Sequence, residues 1–442
     1  MPNAHSELKR ILTPVMVWGL GVGYVISGNY FGWNLGLARG GTLGLAIATV
    51  FVIAMYVAFT YSYAELACAI PTAGGAFDYA NRALGEDLGF VAGMAQNIEF
   101  IFAPPAIAFA IGSYINLFFP AVPVILFSIV AYFVFTTLNI YGIKAAANVE
   151  IFVTTVAVAG LLIFSSVVLP HAKFVNLTHN SLPHGIAGIF AAVPFAIWFF
   201  LGIEGVANLA EETVDPKHTM SRGFLFTLFT LITACLLTFT SAVGMGGWEA
   251  VVYLPDGTVS DSPLPLAMQQ IGGVESGLYR TLVIFGLFGL VASFHGLMLS
   301  GGRSSFEFGK AMLGSSFLGK IHPRFHTPAN ALLVNTGIGI LALFTGRTAE
   351  VITISVFGAL TLYCISMVSV IALRRKEPDL ERPFKTPFYP YFPLMALGIA
   401  LLALTAAVIY NLILCLLYVL IIALCYGIFK LRKRSQTNVK PS

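Results

Sequence analysis

Charge is what this sequence has least of. Asp, Glu, Lys and Arg together make up 10% of its 442 residues, against about a quarter in soluble domains. So little charge cannot hydrate the surface of a water-soluble globule of this length. Hydrophilic length is missing too, since the longest polar loop runs only from Gly247 to Gly277. Cysteine is sparse: Cys68, Cys235, Cys364, Cys415 and Cys425 all lie inside apolar runs. That odd, scattered set excludes a disulfide framework and offers no metal-ligand spacing. No glycine-rich phosphate loop precedes a helix, and no His or Cys cluster has metal spacing. The expectation is therefore no enzyme activity, no cofactor and no metal. Any work done would draw on an ion gradient or exchange, with H+ and Na+ both open as coupling ions.

What the sequence has in quantity is apolar length. Hydrophobic residues reach 57% and the mean hydropathy is +0.86. Roughly 20 apolar residues cross a hydrocarbon core about 30 Å thick. Runs of that kind occupy 12–38, 43–70, 88–118, 121–143, 147–169, 186–210, 223–247, 278–304, 328–345, 350–373, 391–409 and 411–430. Unbroken apolar runs read as helices rather than the alternating strands of a barrel. The start, Met1 to Arg10, is polar and has no cleavage pattern behind it, so the first run is expected to be retained. With both termini cytoplasmic, only Arg39, Lys173, Arg280 and Arg347 of the 24 Lys and Arg fall outside. That asymmetry obeys the positive-inside rule. The formal charge of +4 is thus a topology signal, and nucleic acid is not an expected partner. The lipid bilayer is, around a single transmembrane domain covering 1–442.

Two of the runs are interrupted by polar and glycine residues: Ser27 to Gly32 in the first, and Gly202 to Gly205 in the sixth. Five spans apart, these helices run in opposite directions, the layout of an inverted repeat over 12–169 and 186–373 with 391–430 appended. Backbone groups freed by a break cannot face lipid, so they must line an enclosed space. Ser27, Gly28, Asn29, Tyr30 and Gly202 accordingly read as walls of a midplane pocket. The plainer alternative is that these glycines only let helices pack closely. Glu99 lies about eleven positions into its run, hence roughly 16 Å deep at 1.5 Å per residue. A carboxylate at that depth is costly and marks function by default. Pro104 and Pro105 after it are expected to kink the helix. Glu65 and Glu150, near span ends, read as solvated or paired structural residues.

Three stretches carry a family likeness. "ELACAIPTAGGAFDYANRALG" (Glu65 to Gly85), "GIEGVANLAEETVDPKHTM" (Gly202 to Met220) and "HPRFHTPANALL" (His322 to Leu333) resemble the motifs of the amino acid, polyamine and organocation transporter superfamily. Within it, "ISGNYFGWNLG" (Ile26 to Gly36), "IEFIFAPPAIAFAIG" (Ile98 to Gly112), "AAVPFAIWFFLGIEGVA" (Ala191 to Ala207) and "GLFGLVASFHG" (Gly286 to Gly296) are similar to bacterial ethanolamine permeases. The superfamily's Gly-Ser-Gly is altered here to Ser27-Gly28-Asn29, and those permeases carry Glu where this chain has Asn29. "GRSSFEFGK" (Gly302 to Lys310) is likewise less regular than the family pattern.

The resemblance implies an all-α membrane protein of twelve helices, a five-plus-five inverted repeat with broken helices 1 and 6 and two added C-terminal helices. It implies a secondary transporter of the bacterial inner membrane that imports ethanolamine or a related small amine by alternating access. An amino acid permease or exchanger of the same superfamily is the near alternative. A membrane sensor that binds without transporting is the distant one. By the same resemblance Glu99 is the counter-ion of the ammonium, Trp198 an aromatic gate with Phe199 beside it, and Ser293 a substrate-facing residue. Glu204 has a structural or gating role and is a candidate proton carrier. His295 is either a satisfied core histidine or a proton relay.

Overall fold

The computed structural model describes residues 10–141, 146–274, 276–312 and 317–438. Lys9, Lys144 and Lys440, counted above as cytoplasmic, lie outside them. Among the described residues ten helices are long and apolar enough to cross a membrane, and two shorter apolar ones, Pro14–Val25 and Ala329–Leu343, accompany them. No strand occurs among these residues, only the isolated bridges Leu12 to Thr213 and Tyr253 to Val259.

The first helix, α1 (Pro14–Val25), starts where Thr13 accepts the Met16 N–H and Pro14 presets the first turn. A single turn, α2 (Ser27–Tyr30), follows. Phe31 is extended, Gly32 takes a positive φ of 87°, and α3 (Trp33–Ala69) begins. At 37 residues, α3 would measure about 55 Å if straight, far more than one crossing. It bends at Gly41, where φ is +67°. The short α4 (Ala76–Leu84) was not anticipated; it buries Phe77, Tyr79, Ala80 and Ala83 on one side.

Next come α5 (Glu86–Asn116), α6 (Val124–Tyr141), α7 (Ala146–Val168), α8 (Phe174–Thr178) and α9 (Gly185–Trp198). The expected kink at Pro104-Pro105 does not interrupt α5, which runs continuously through both. After α9 the chain turns at Gly202, in the left-handed region, into a 3-10 stretch over Ile203–Glu212. Ten residues of 3-10 geometry is long for a form usually confined to three or four, and such stretches mark strain or function. The chain continues through α10 (Pro216–Gly246), α11 (Glu249–Val252), α12 (Pro263–Gly272), α13 (Gly277–Ala311), α14 (Ala329–Leu343), α15 (Thr348–Lys376), α16 (Tyr391–Tyr410) and α17 (Leu412–Asn438).

The sequence boundaries need two corrections. The sixth run is not α-helical after its break, because Gly202 restarts it as a 3-10 helix. The first break is narrower than expected: Ser27 to Tyr30 keep a helical turn, and only Phe31 and Gly32 leave it.

Residues of α5, α13, α15 and the α9 segment form the buried centre, whereas α17 is the least buried of the long helices. Large side chains such as Phe229 and Ile413 stay exposed, as they must on a face that meets hydrocarbon. We call the face where α1 begins the basic face, and its opposite the far face. The basic face is tied by Glu65, which takes the Arg374 guanidinium at 2.8 and 2.6 Å and the Thr386 N–H at 2.7 Å. Arg382 adds a contact at 3.3 Å. Glu65 is thus paired, one of the two roles expected of it.

Replacing Glu65 by Gln removes the bidentate carboxylate partner of Arg374, while Arg382 keeps its bonds to the Pro378, Leu380, Leu373 and Glu377 carbonyls, a loss on the order of 1–3 kcal/mol. The expected result is a clear fall in the midpoint of thermal unfolding in detergent. An unchanged midpoint would make this cluster energetically idle.

Candidate functional site

The two interruptions cross in contact. A Cβ at Gly28 would stand 2.2 Å from the Trp198 carbonyl oxygen, and one at Gly32 would stand 2.3 Å from the Trp198 indole nitrogen. Only glycine fits at either position. The Trp198 indole N–H donates to the Phe31 carbonyl at 3.1 Å, and the two rings meet edge to face at 5.5 Å. Trp33 stacks on Phe199 at 5.7 Å. Of the residues singled out in the sequence, Gly28, Trp198 and Phe199 therefore come together at the crossing.

Where the freed backbone groups go is a question with specific answers. The Ser27 N–H donates to the Ser293 hydroxyl at 2.9 Å, and that hydroxyl donates to the Gly23 carbonyl at 2.6 Å. A serine from α13 is inserted into the first helix's own i to i−4 ladder, a recognised cause of a kink. The Tyr30 carbonyl accepts from Tyr114 at 3.0 Å, and the Gly32 N–H donates to the Asn34 side chain at 3.1 Å. Asn34 in turn donates to the Ser260 carbonyl at 2.7 Å. Tyr30 sends its own hydroxyl to the Ala157 carbonyl at 2.6 Å. These backbone groups are therefore occupied by protein rather than open to a ligand. Asn29 differs: it is fully buried, and neither polar atom of its side chain has a partner.

A second network contains the acids. Glu99 on α5 and Glu204 at the start of the 3-10 stretch are both buried. Their carboxyls lie side by side, with the Gly202 N–H next to Glu99. Neither Glu99 oxygen makes a hydrogen bond of good geometry, and Glu204 Oε1 is also unpartnered. Glu204 Oε2 accepts from the Tyr363 hydroxyl at 2.9 Å, and Tyr363 meets Tyr56 at 3.0 Å. From α15 Ser355 donates to the Glu99 carbonyl at 3.0 Å. Two adjacent buried carboxyls cannot both stay ionised without a cation or proton between them. The arrangement can hold one or the other.

A cavity of about 1200 Å³ opens on the basic face, lined among others by Arg10, Asp78, Asn208, Glu211, Arg303 and Lys310; neither Glu99 nor Glu204 lines it. Asn208 lies one short segment along the 3-10 stretch from Glu204, buried, with both side-chain polar atoms unpartnered. Arg303 pairs with Glu212 at 2.8 Å across the vestibule. On the far face Phe31, Trp198 and Phe199 are buried. Elsewhere His295 Nδ1 on α13 stands 3.2 Å from Glu150 Oε2 on α7.

Sequence reasoning missed Tyr56, Tyr114 and Tyr363, whose hydroxyls serve the breaks and the acids, and Asn208, Arg303 and Glu212, which line the vestibule. A tyrosine in an apolar run carries no mark that separates a donor from a packing ring. Charges near span ends look like ordinary boundary residues.

A helical bundle with ten helices long and apolar enough to cross a membrane, and two interrupted helices touching at their breaks, defines a multi-pass membrane protein. The chain belongs to the amino acid permease family, whose pattern matches residues 16–439. It is 26% identical to an uncharacterized transporter of Rhizobium meliloti over 87% of this chain and 83% of that one. It is similar to the branched-chain amino acid permease BcaP of Bacillus subtilis, at 25% identity over 99% of this chain and 96% of that protein. The low-affinity putrescine importer PlaP of Escherichia coli matches at 24% over 90% and 89% of the two chains. As these relatives are transporters, the chain is a transporter and not an enzyme.

Trp198→Phe keeps the ring and removes one hydrogen bond across the crossing, worth about 0.5–1.5 kcal/mol. Thiol labelling of an Asn34→Cys probe from the far face should then rise by roughly two- to tenfold. An unchanged rate would show that the indole N–H does not hold the far face shut.

The far-face loop gives a pH test. Asp261 is only partly exposed and accepts from Thr348 at 3.1 Å. Burial pushes its carboxyl up from 3.8 to about 6. The folded state thus holds a proton that the unfolded chain has released, and stability should fall as pH rises from about 4 to 6 and level off above. Asp261→Asn should abolish this share of the pH dependence and raise the unfolding midpoint at pH 7. Equal midpoints for the two proteins at pH 5 and pH 7 would contradict the burial penalty.

Proposed function

We propose that this transporter imports a small primary amine, ethanolamine or a close chemical relative, by alternating access across a bacterial inner membrane. The basic face is cytoplasmic in this reading, with both termini there. The described state is then the inward-facing one. Twelve crossings arise if α1 with the start of α3, the rest of α3, and α9 with its 3-10 continuation each count as one span and α14 as another. The segments 12–169 and 186–373 are then the two inverted halves, related as the opposite entry directions of α1 and α9 suggest.

The observation that carries the amine reading is the Glu99–Glu204 pair. Its unpartnered oxygens lie in the membrane core, and among the described residues neither acid is in an ion pair. An ammonium group supplies both the missing donors and the missing charge. The Trp198 ring beside the break adds a cation–π attraction of about 0.5–2 kcal/mol, and Asn29 offers unpaired polar atoms to a hydroxyl. Ser27, Gly28, Tyr30, Phe199, Gly202 and Ser293 shape the crossing around it, and Glu204 with Trp198 gates it. A carboxylate fits less well, because the Ser27 and Gly32 N–H groups are already engaged.

The second reading, an amino acid permease or exchanger, is favoured by the relative named for branched-chain amino acids. Competition in proteoliposomes separates the two: ethanolamine should displace labelled ethanolamine, with leucine inert. Glu99→Gln should weaken ethanolamine about tenfold or more, the scale of a hydrogen bond to a charged group, with expression intact. Displacement by leucine and not by ethanolamine would transfer the assignment to amino acids.

A further inference from the structure

We propose that the vestibule on the basic face holds a second binding site, separate from the crossing, for a small organic ammonium ion. It does not depend on which substrate the transporter carries. Neither Glu99 nor Glu204 lines this cavity of about 1200 Å³, so it is a different place from the amine pocket at the crossing.

The first observation is uncompensated negative charge. Asp78 in the first turn of α4, Glu211 near the end of the 3-10 stretch and Glu307 in the last turns of α13 all line the cavity. The three act on one another electrostatically. Asp78 and Glu307 are half-buried, and Glu211 is exposed. Among the described residues none of the three is in an ion pair. The cations on the same walls are engaged or outlying: Arg303 pairs with Glu212 at 2.8 Å, Lys310 stands over the Phe306 ring and acts on Glu307, and Arg10 and His326 are exposed. No cation acts on Asp78, whose carboxyl is pushed up by burial and then by the charge of Glu211. Glu211 Oε1 accepts the Ala73 N–H at 2.9 Å, which holds that carboxylate at the wall with acceptor capacity left over.

The second observation is independent of charge. Asn208 is 3% exposed and lines the cavity, yet neither polar atom of its amide has a partner. Asn139 of α6, 4% exposed on the same lining, has an unpartnered Nδ2. At Gly75, where φ is +56°, a Cβ would stand 2.7 Å from Asn208 Oδ1, so only glycine leaves that oxygen uncovered. Buried amides with their bonds unmade are costly. An ammonium group brings three donors, which suit the Asn208 oxygen and the carboxylates, and its charge offsets the acids. Phe77 and Phe306 supply apolar wall for a short carbon chain. A metal ion fits less well, since among the described residues no three His, Cys, Asp or Glu side chains are grouped as ligands. A ligand seated here has to leave before the vestibule can close.

The test is calorimetric titration of 1,4-diaminobutane into the detergent-purified full chain at about 0.15 M KCl, which screens loose surface attraction. The chain carries Glu99→Gln, so that the crossing is weakened. A saturable site is expected there, and butane-1,4-diol, uncharged and of the same length, should show none. Adding Asp78→Asn and Glu211→Gln should weaken the site at least about tenfold, and adding Asn208→Ala instead should weaken it roughly threefold, the scale of lost hydrogen bonds with and without charge. No saturable binding in Glu99→Gln, equal binding of the diol, or binding untouched by these substitutions overturns the proposal. Maleimide labelling of Ala73→Cys keeps every proposed ligand in place: 1,4-diaminobutane should slow it roughly threefold or more and the diol should not, and no slowing by the diamine overturns the site. Ethanolamine displacement in proteoliposomes separates the two readings. Its failure beside saturable diamine binding refutes the amine at the crossing alone, and its success beside absent diamine binding refutes the vestibule site alone.

Discussion

A backbone amide that leaves its helix inside a membrane must find a partner at once, since no water stands by to replace the lost bond and each open group costs several kcal/mol. That demand organises the centre of this protein. The first break is tolerated because side chains from other helices serve it: Ser293 from α13, Tyr114 from α5, Trp198 from α9 and Asn34 from α3 itself. Each repair also ties two helices together. The break is therefore a junction, and its geometry is set by four elements at once.

Such a junction suits a molecule that alternates between two forms. Net hydrogen bonds are worth about 0.5–1.5 kcal/mol apiece, so exchanging a few partners moves an equilibrium by a modest and reversible amount. Trp198 occupies the telling position, with its carbonyl against Gly28 and its indole against Gly32 and Phe31. Any parting of the two broken helices on the far face has to begin there. On the basic face the vestibule already stands open, with the Arg303–Glu212 pair at its wall.

The presence of both breaks was legible in the sequence, because glycine and polar residues clustered in mid-membrane weaken a helix that the flanking apolar residues would otherwise continue. Their extent was not. Ser27 to Tyr30 remain helical since a hydroxyl from a residue 266 positions away bridges the ladder, a contact no local pattern encodes. Glu99 could be read as buried from its depth alone, but its neighbour Glu204 is on another helix. The pairing of Glu150 with His295 escaped for the same reason, and Glu150 looked like an ordinary residue near the end of its span. The 3-10 stretch after Gly202 was hidden because its composition is that of a helix. Periodicity reports which residues lie inside; it does not report which of them meet.

The central claim is that a small amine sits where the two interruptions cross, against the buried acids. A side-chain-resolution map of the protein with excess ethanolamine tests it most directly. The account predicts new density touching Glu99 or Glu204 together with the Phe199 to Gly202 turn. Ethanolamine density confined to the vestibule, with the crossing unchanged and empty, would contradict it.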